Sequence, residues 1–168
     1  MAEDEGRFGR VSIPRRAWAP PGVRPGAPHQ IVREYTHVYV AVAPAEGKMT
    51  SLVLPSAETE MMSLFLEHVS TTFAKYFLVM QVDQAGWHQS QDLKIPENVR
   101  LIAQPAYSPE LNPVEHDWEE VREKHLANLA FASLDEVIDK VCDGLNQLED
   151  DPERLRSMTY FSHFRSVS

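Results

Sequence analysis

Apolar positions along this chain follow two different periods. Residues 34–43 (EYTHVYVAVA) are dense in β-branched and aromatic side chains, which predicts a strand. A turn over residues 44–47 leads to a second predicted strand, Lys48–Leu54, and so to a hairpin. From Ser56 the period lengthens: Met61, Leu64, Phe65, Val69 and Phe73 recur at helical spacing, with Glu60, Glu67 and Thr71 on the other face. Residues 76–82 (YFLVMQV) form a short, nearly continuous apolar run, the signature of a strand buried on both faces. It ends at Asp83, with Gly86 close behind, and residues 99–103 predict a further strand.

From Asn112 onward the pattern is helical. Ser133 and Glu136 have the spacing of a capping box, and Leu134, Val137, Ile138, Val141, Cys142, Leu145 and Leu148 make one apolar stripe. Asp151-Pro152 opens a last short helix. The first 33 residues, rich in proline, read as irregular or short-stranded, with Trp18 folded onto the body. The order is that of a mixed α/β layer fold, of a size that fits one domain.

Composition narrows the class. No apolar run reaches the ~20 residues needed to span a bilayer, and an N-terminus bearing Glu3, Asp4 and Glu5 has the wrong charge for a signal peptide. With Cys142 the only cysteine, neither a disulfide framework nor a cysteine-based zinc site is expected, and a reducing, cytoplasmic setting is. The net charge of −9 argues at face value against nucleic acid as a partner. Yet Arg7, Arg10, Arg15, Arg16, Arg24 and Arg33 gather at the basic N-terminal end, so the acidity belongs to the remainder.

Three carboxylates stand out as candidates. Glu115 lies in Asn112-Pro113-Val114-Glu115, where Asn is a favoured N-cap, Pro fits the first helical position, and Glu can reach back to the cap N–H. Asp83 follows a strand, where open α/β sheets place their ligands, and it could equally serve a turn. Asp4 alone reads as a solvated charge. Should the three converge, mutual repulsion would call for a cation, and hard oxygen donors favour magnesium or manganese. His88 reads as a structural hydrogen-bonder, and Trp87 as core or as a platform for a DNA base.

Four segments in order, EDEGRFGR (3–10), RRAWAPPGVRP (15–25), VDQAGWHQS (82–90) and QPAYSPELNPVEHDW (104–118), resemble the DDE transposases of bacterial insertion sequences related to the mariner group. The resemblance covers nearly the whole chain. It implies an RNase H-like fold, a five-stranded mixed sheet with flanking helices, across a single catalytic domain of residues 1–168. In relatives more of the first strand precedes the first acid, so a truncated first strand is expected here, and an N-terminal helix-turn-helix DNA-binding region is expected to be absent. The three catalytic acids fall on Asp4, Asp83 and Glu115, holding two magnesium ions, with manganese as a substitute. His88, Trp87, Tyr107 and Asn112 would support the site or line the DNA path. The implied activity is metal-dependent DNA cleavage and strand transfer by a homodimer bound to element ends and target DNA, in the bacterial cytoplasm at the nucleoid, without membrane or small-molecule substrate. A catalytically silent transposase remnant that at most binds sister subunits is the alternative expectation, with a further RNase H-like nuclease, such as a resolvase, behind it.

Overall fold

The first strand of the sheet lies where irregular chain was expected. In a computed structural model, which describes residues 1–161, the elements in order are β1 (Ala2–Val11), β2 (Ile31–Ala43), β3 (Lys48–Leu54), α1 (Thr59–Thr72), β4 (Leu78–Val82), β5 (Val99–Ala103), α2 (Val114–Val121), α3 (Leu134–Glu149) and α4 (Pro152–Thr159). The sheet order is β3-β2-β1-β4-β5. β2 runs antiparallel to both of its neighbours, β1 and β3, whereas β4 and β5 run parallel to β1. This is the mixed five-stranded, RNase H-like arrangement.

The reading of residues 1–33 as irregular or short-stranded is therefore corrected. β1 is a ten-residue central strand, paired with β2 from Ala2↔Val42 to Gly9↔Tyr35. Toward β4 its ladder is brief. Ala2 pairs with Gln81, and the Met1 ammonium donates to the Val79 carbonyl at 2.7 Å. The segment between β1 and β2 is irregular as expected, but Trp18 stands fully in solvent instead of folding onto the body.

Each face of the sheet has its own core. On one, Tyr39 and Ala41 of β2 and Leu78, Met80 and Val82 of β4 pack against Met62, Phe65, Leu66 and Val69 of α1. On the other, Phe8, Val38, Val40 and Val42 meet Val114, Trp118 and Val121 of α2, Val137, Val141, Leu145 and Leu148 of α3, and Leu155 of α4. Gly6 lets α2 approach β1, since a Cβ there would come within 2.7 Å of the Phe8 ring and 3.1 Å of the Trp118 indole.

Three further expectations shift. α1 begins at Thr59, because the Ser56 hydroxyl is spent on the Glu58 carboxylate and caps no backbone N–H. Its buried side chains are Met62, Phe65, Leu66 and Val69, while Leu64 is 46% exposed. Apolar residues crowd this segment so densely (MMSLFL) that periodicity alone does not fix the inner face. β4 is buried on the α1 side only, leaving Val79 46% exposed, since α2 and α3 sit over β1, β2 and β3. The capping predictions for α3 and α4 agree with the structure: Ser133 accepts from the Glu136 N–H and Asp151 from the Arg154 N–H. Among the described residues no helix is long and apolar enough to cross a membrane.

Asp117 is the anomaly of this core. It is fully buried on α2, neither carboxylate oxygen has a hydrogen-bond partner among the described residues, and burial pushes its carboxyl up to about 8. A folded-state pKa above the unfolded value means stability present at acid pH is lost as pH rises through the folded pKa. In metal-free buffer the melting temperature of Asp117→Asn relative to wild type is therefore expected to climb steadily from pH 5 to about pH 8. A difference independent of pH in thermal denaturation would contradict this.

Candidate active site

Register brings the first two acids together. β1 and β4 run parallel with Ala2 opposite Gln81, so two steps further along both strands Asp4 comes beside Asp83. Asp83 directly follows the carboxyl end of β4. Its Oδ1 accepts from the Ala85 N–H at 2.8 Å and lies 2.8 Å from His88 Nδ1, so a tight turn fixes its side chain.

Glu115 arrives from the other direction, in the first turn of α2. Two bonds tie that helix to β1. Asn112 Nδ2 donates to the Glu3 carbonyl (3.3 Å), and Trp118 Nε1 donates to Asp4 Oδ2 (2.9 Å). Glu115 sits between these anchors with its side chain exposed. Asp4, Asp83 and Glu115 thus share a cleft of about 510 Å³, together with Gln84, Gln104, Tyr107 and Asn112.

The capping expectation for Glu115 needs correcting. Asn112 does cap, its Oδ1 accepting from the Val114 N–H at 3.1 Å. Its own N–H, however, is taken by the Pro109 carbonyl of a preceding 3₁₀ turn, and Glu115 makes no cap bond. A short helical turn upstream outcompetes the reciprocal half of the box, which leaves the Glu115 carboxylate free to face the cleft.

The electrostatics are those of crowded acids. Burial, with the charges of Glu115 and Glu5, raises the Asp4 carboxyl to about 7, although the Trp118 hydrogen bond pulls the other way. No Lys or Arg is among the described residues lining the cleft. A cleft of this kind holds hard cations well and anions poorly.

The remaining candidates occupy distinct places. Tyr107 is fully exposed at the rim, with φ 57°, a left-handed conformation that strains a bulky residue. Asn112 is buried at the cleft wall. His88 is buried behind Asp83, and Trp87 packs on the α1-side core with its Nε1–H donated to Glu5 Oε1 at 2.7 Å. Neither His88 nor Trp87 lines the cleft.

Sequence reasoning missed Glu3 and Glu5. Both lie on β1 with alternate-residue spacing, on the face opposite Asp4. Glu3 is 1% exposed, and its carboxyl is held well above the usual range by burial and then by Glu5, Asp4 and Asp83. Burial opposes a charge on His88, but the hydrogen bond and charge of Glu5, with Asp83, outweigh it and raise its pKa. Three consecutive acids carry no apolar–polar alternation, so nothing in the sequence marks which of them face inward. The indole N–H of Trp118 was missed too, since that residue reads as core.

Fold and cleft together define an α/β class, a mixed five-stranded RNase H-like sheet whose cleft gathers carboxylates from β1, the end of β4 and the start of α2. Comparison with known proteins makes this specific: residues 2–138 match the DDE superfamily endonuclease family, and the chain belongs to it. An uncharacterized protein of Sinorhizobium fredii, y4pE/y4sA, is 37% identical over 125 residues, covering 74% of this chain and 93% of that protein. Among solved structures, the Mos1 strand transfer complex superposes with TM-score 0.60 at 16% identity, covering 96% of this chain and 55% of its own. The isolated catalytic domain of the Mos1 mariner transposase gives TM-score 0.54 at 13% identity, with 96% of this chain and 83% of that domain covered. The chain thus spans about half the length of the transposase in the Mos1 complex.

Removing the Trp118 donor should expose its effect on Asp4. In metal-free Trp118→Phe the Asp4 carboxyl is expected to titrate above its value of about 7. Carboxyl-carbon NMR reads this directly, and an unchanged midpoint would show that the bond does not hold the charge.

Proposed function

We propose that the chain is the catalytic domain of a transposase, one RNase H-like unit over residues 1–168, that cuts and joins DNA strands using divalent cations held by Asp4, Asp83 and Glu115. The observation that carries this reading is the convergence of those three carboxylates, from β1, the end of β4 and the start of α2, on one cleft. Family membership and the fold of the Mos1 catalytic domain support it.

The residues fit such ions. The donors are all carboxylate oxygens, which suits magnesium with manganese as a substitute, and Asp4, raised first by burial and then by the charges of Glu115 and Glu5, is a carboxylate whose charged form a cation would stabilise. Asp4, Asp83 and Glu115 would hold a pair of such ions in the cleft. Bound there, such a pair activates an attacking oxygen and stabilises the leaving oxygen of an in-line phosphoryl displacement.

The chain's own groups do the positioning. Trp118 steers Asp4, while His88 and the Ala85 N–H steer Asp83. Asn112 ties the start of α2, and hence Glu115, to the central strand. Trp87 supports from below through Glu5, and Tyr107 at the rim offers an exposed ring beside the incoming strand. The partner is DNA, as element ends and as target, engaged by a homodimer. Solved Mos1 structures include a paired-end complex with the left transposon end and a paired-end complex with manganese. Exposed Arg15, Arg16 and Arg24 on the arm between β1 and β2 would supply phosphate contacts that the acidic body cannot.

Two measurements test the reading. Saturating magnesium or manganese should raise the melting temperature, since a ligand at about 100 times its Kd stabilises by ~2.7 kcal/mol. Asp4→Asn and Glu115→Gln should each abolish most of that rise, and identical shifts in wild type and variants would remove the metal assignment. With manganese, wild type should nick supercoiled plasmid while both variants fall to background. Nicking that survives Glu115→Gln would place the chemistry elsewhere.

A further inference from the structure

The odd-numbered side chains of β1 make a second cluster on the face away from the cleft. Glu3, Glu5 and His88 each offer a ligand atom there, all within 4.8 Å of one another. His88 Nε2 lies 3.0 Å from Glu5 Oε1 and 3.5 Å from Glu3 Oε2. All three side chains are at most 6% exposed.

Glu3 supplies the independent observation. Neither of its oxygens accepts a hydrogen bond, although the side chain is wholly buried. Folded proteins rarely leave a carboxylate so placed without a partner, and an absent ion is one of the few explanations. A proton on His88 Nε2 would point at Glu5, its nearer neighbour, and Glu3 would still be orphaned.

The surroundings are those of metal ligands. His88 Nδ1 is 2.8 Å from Asp83 Oδ1, so a proton on Nδ1 leaves the Nε2 lone pair turned toward Glu3 and Glu5. Metal-bound histidines characteristically give their second ring N–H to a carboxylate in this way. Trp87 Nε1–H fixes Glu5 Oε1 at 2.7 Å, orienting a second ligand. Tetrahedral zinc with bonds of about 2.0–2.2 Å sets neighbouring ligand atoms roughly 3.4 Å apart. The separations of 3.0 and 3.5 Å around His88 Nε2 bracket that value.

We propose that Glu3, Glu5 and His88 form a closed structural site for a zinc-like divalent ion, separate from the cleft and on the opposite side of β1. One nitrogen and two carboxylate donors suit zinc better than magnesium, and a second carboxylate oxygen or a water completes four-coordination. The ion neutralises the two buried acids and clamps β1 to the loop after β4. Through the His88 ring it also holds Asp83 in place.

The test uses the full chain with the cleft disabled, as the double variant Asp4→Asn, Glu115→Gln. After stripping with chelator, loading with zinc sulfate and dialysis, elemental analysis should find a single equivalent of zinc, and cobalt loading should give the visible absorption of a tetrahedral site. Adding Glu3→Gln should remove both signals. In chelator Glu3→Gln should melt above its parent, having lost a buried unpaired acid, whereas in zinc it should melt below it. Zinc washed out of the double variant, or retained unchanged with Glu3→Gln, would overturn the proposal. The parent's metal content decides the matter alone should Glu3→Gln fail to fold. Failure of the cleft reading shows up separately, as loss of the magnesium and manganese effects in wild type with zinc retention intact.

Discussion

The parallel pairing of Ala2 with Gln81 is the constraint on which the rest of the structure depends. It sets the register of β1 against β4 and thereby decides which acids become neighbours. Because side chains alternate across a strand, the same register sorts three consecutive acids onto two faces. Asp4 joins Asp83 and Glu115 in the cleft, while Glu3 and Glu5 turn inward toward His88. A slip of one residue would exchange the two sets, turning Glu3 and Glu5 toward the cleft and Asp4 toward His88.

The second anchor is Trp118. Its ring packs edge-on to Phe8 at 5.6 Å and lies over Gly6, and its N–H reaches Asp4. One side chain therefore sets the distance between α2 and the central strand and also orients a carboxylate of the cleft. Packing and site geometry are here the same contact seen from two sides.

Much of this was legible in the chain. The hairpin of β2 and β3, the acid at the end of β4, and the Asn112-to-Trp118 register all follow from local rules of strand composition, turns and capping. β1 was not legible, because AEDEGRFGRV offers only Ala2, Phe8 and Val11 as apolar signals, and its remaining positions are charged or glycine. A central strand that carries the acids of a site loses the pattern that would announce it. The free carboxylate of Glu115 was hidden for a different reason: whether a cap closes depends on the competing Pro109 carbonyl, and that turn is a tertiary outcome. Glu3, Glu5 and His88 are separated by more than eighty positions, and only the β1–β4 register joins them.

The sheet order also dictates when charge accumulates as the chain acquires its shape. β1, β2 and β3 form a meander in order of synthesis, and nothing in it brings Asp83 or His88 near the acids of β1. Those groups meet only where β4 pairs with β1, across a connection of 66 residues whose closure costs more chain entropy than the turns of the meander. Electrostatic repulsion is thus deferred to the closing of the sheet. Cations bound as proposed at these carboxylates would then act as assembly factors, relieving that repulsion where the two halves of the sheet become one.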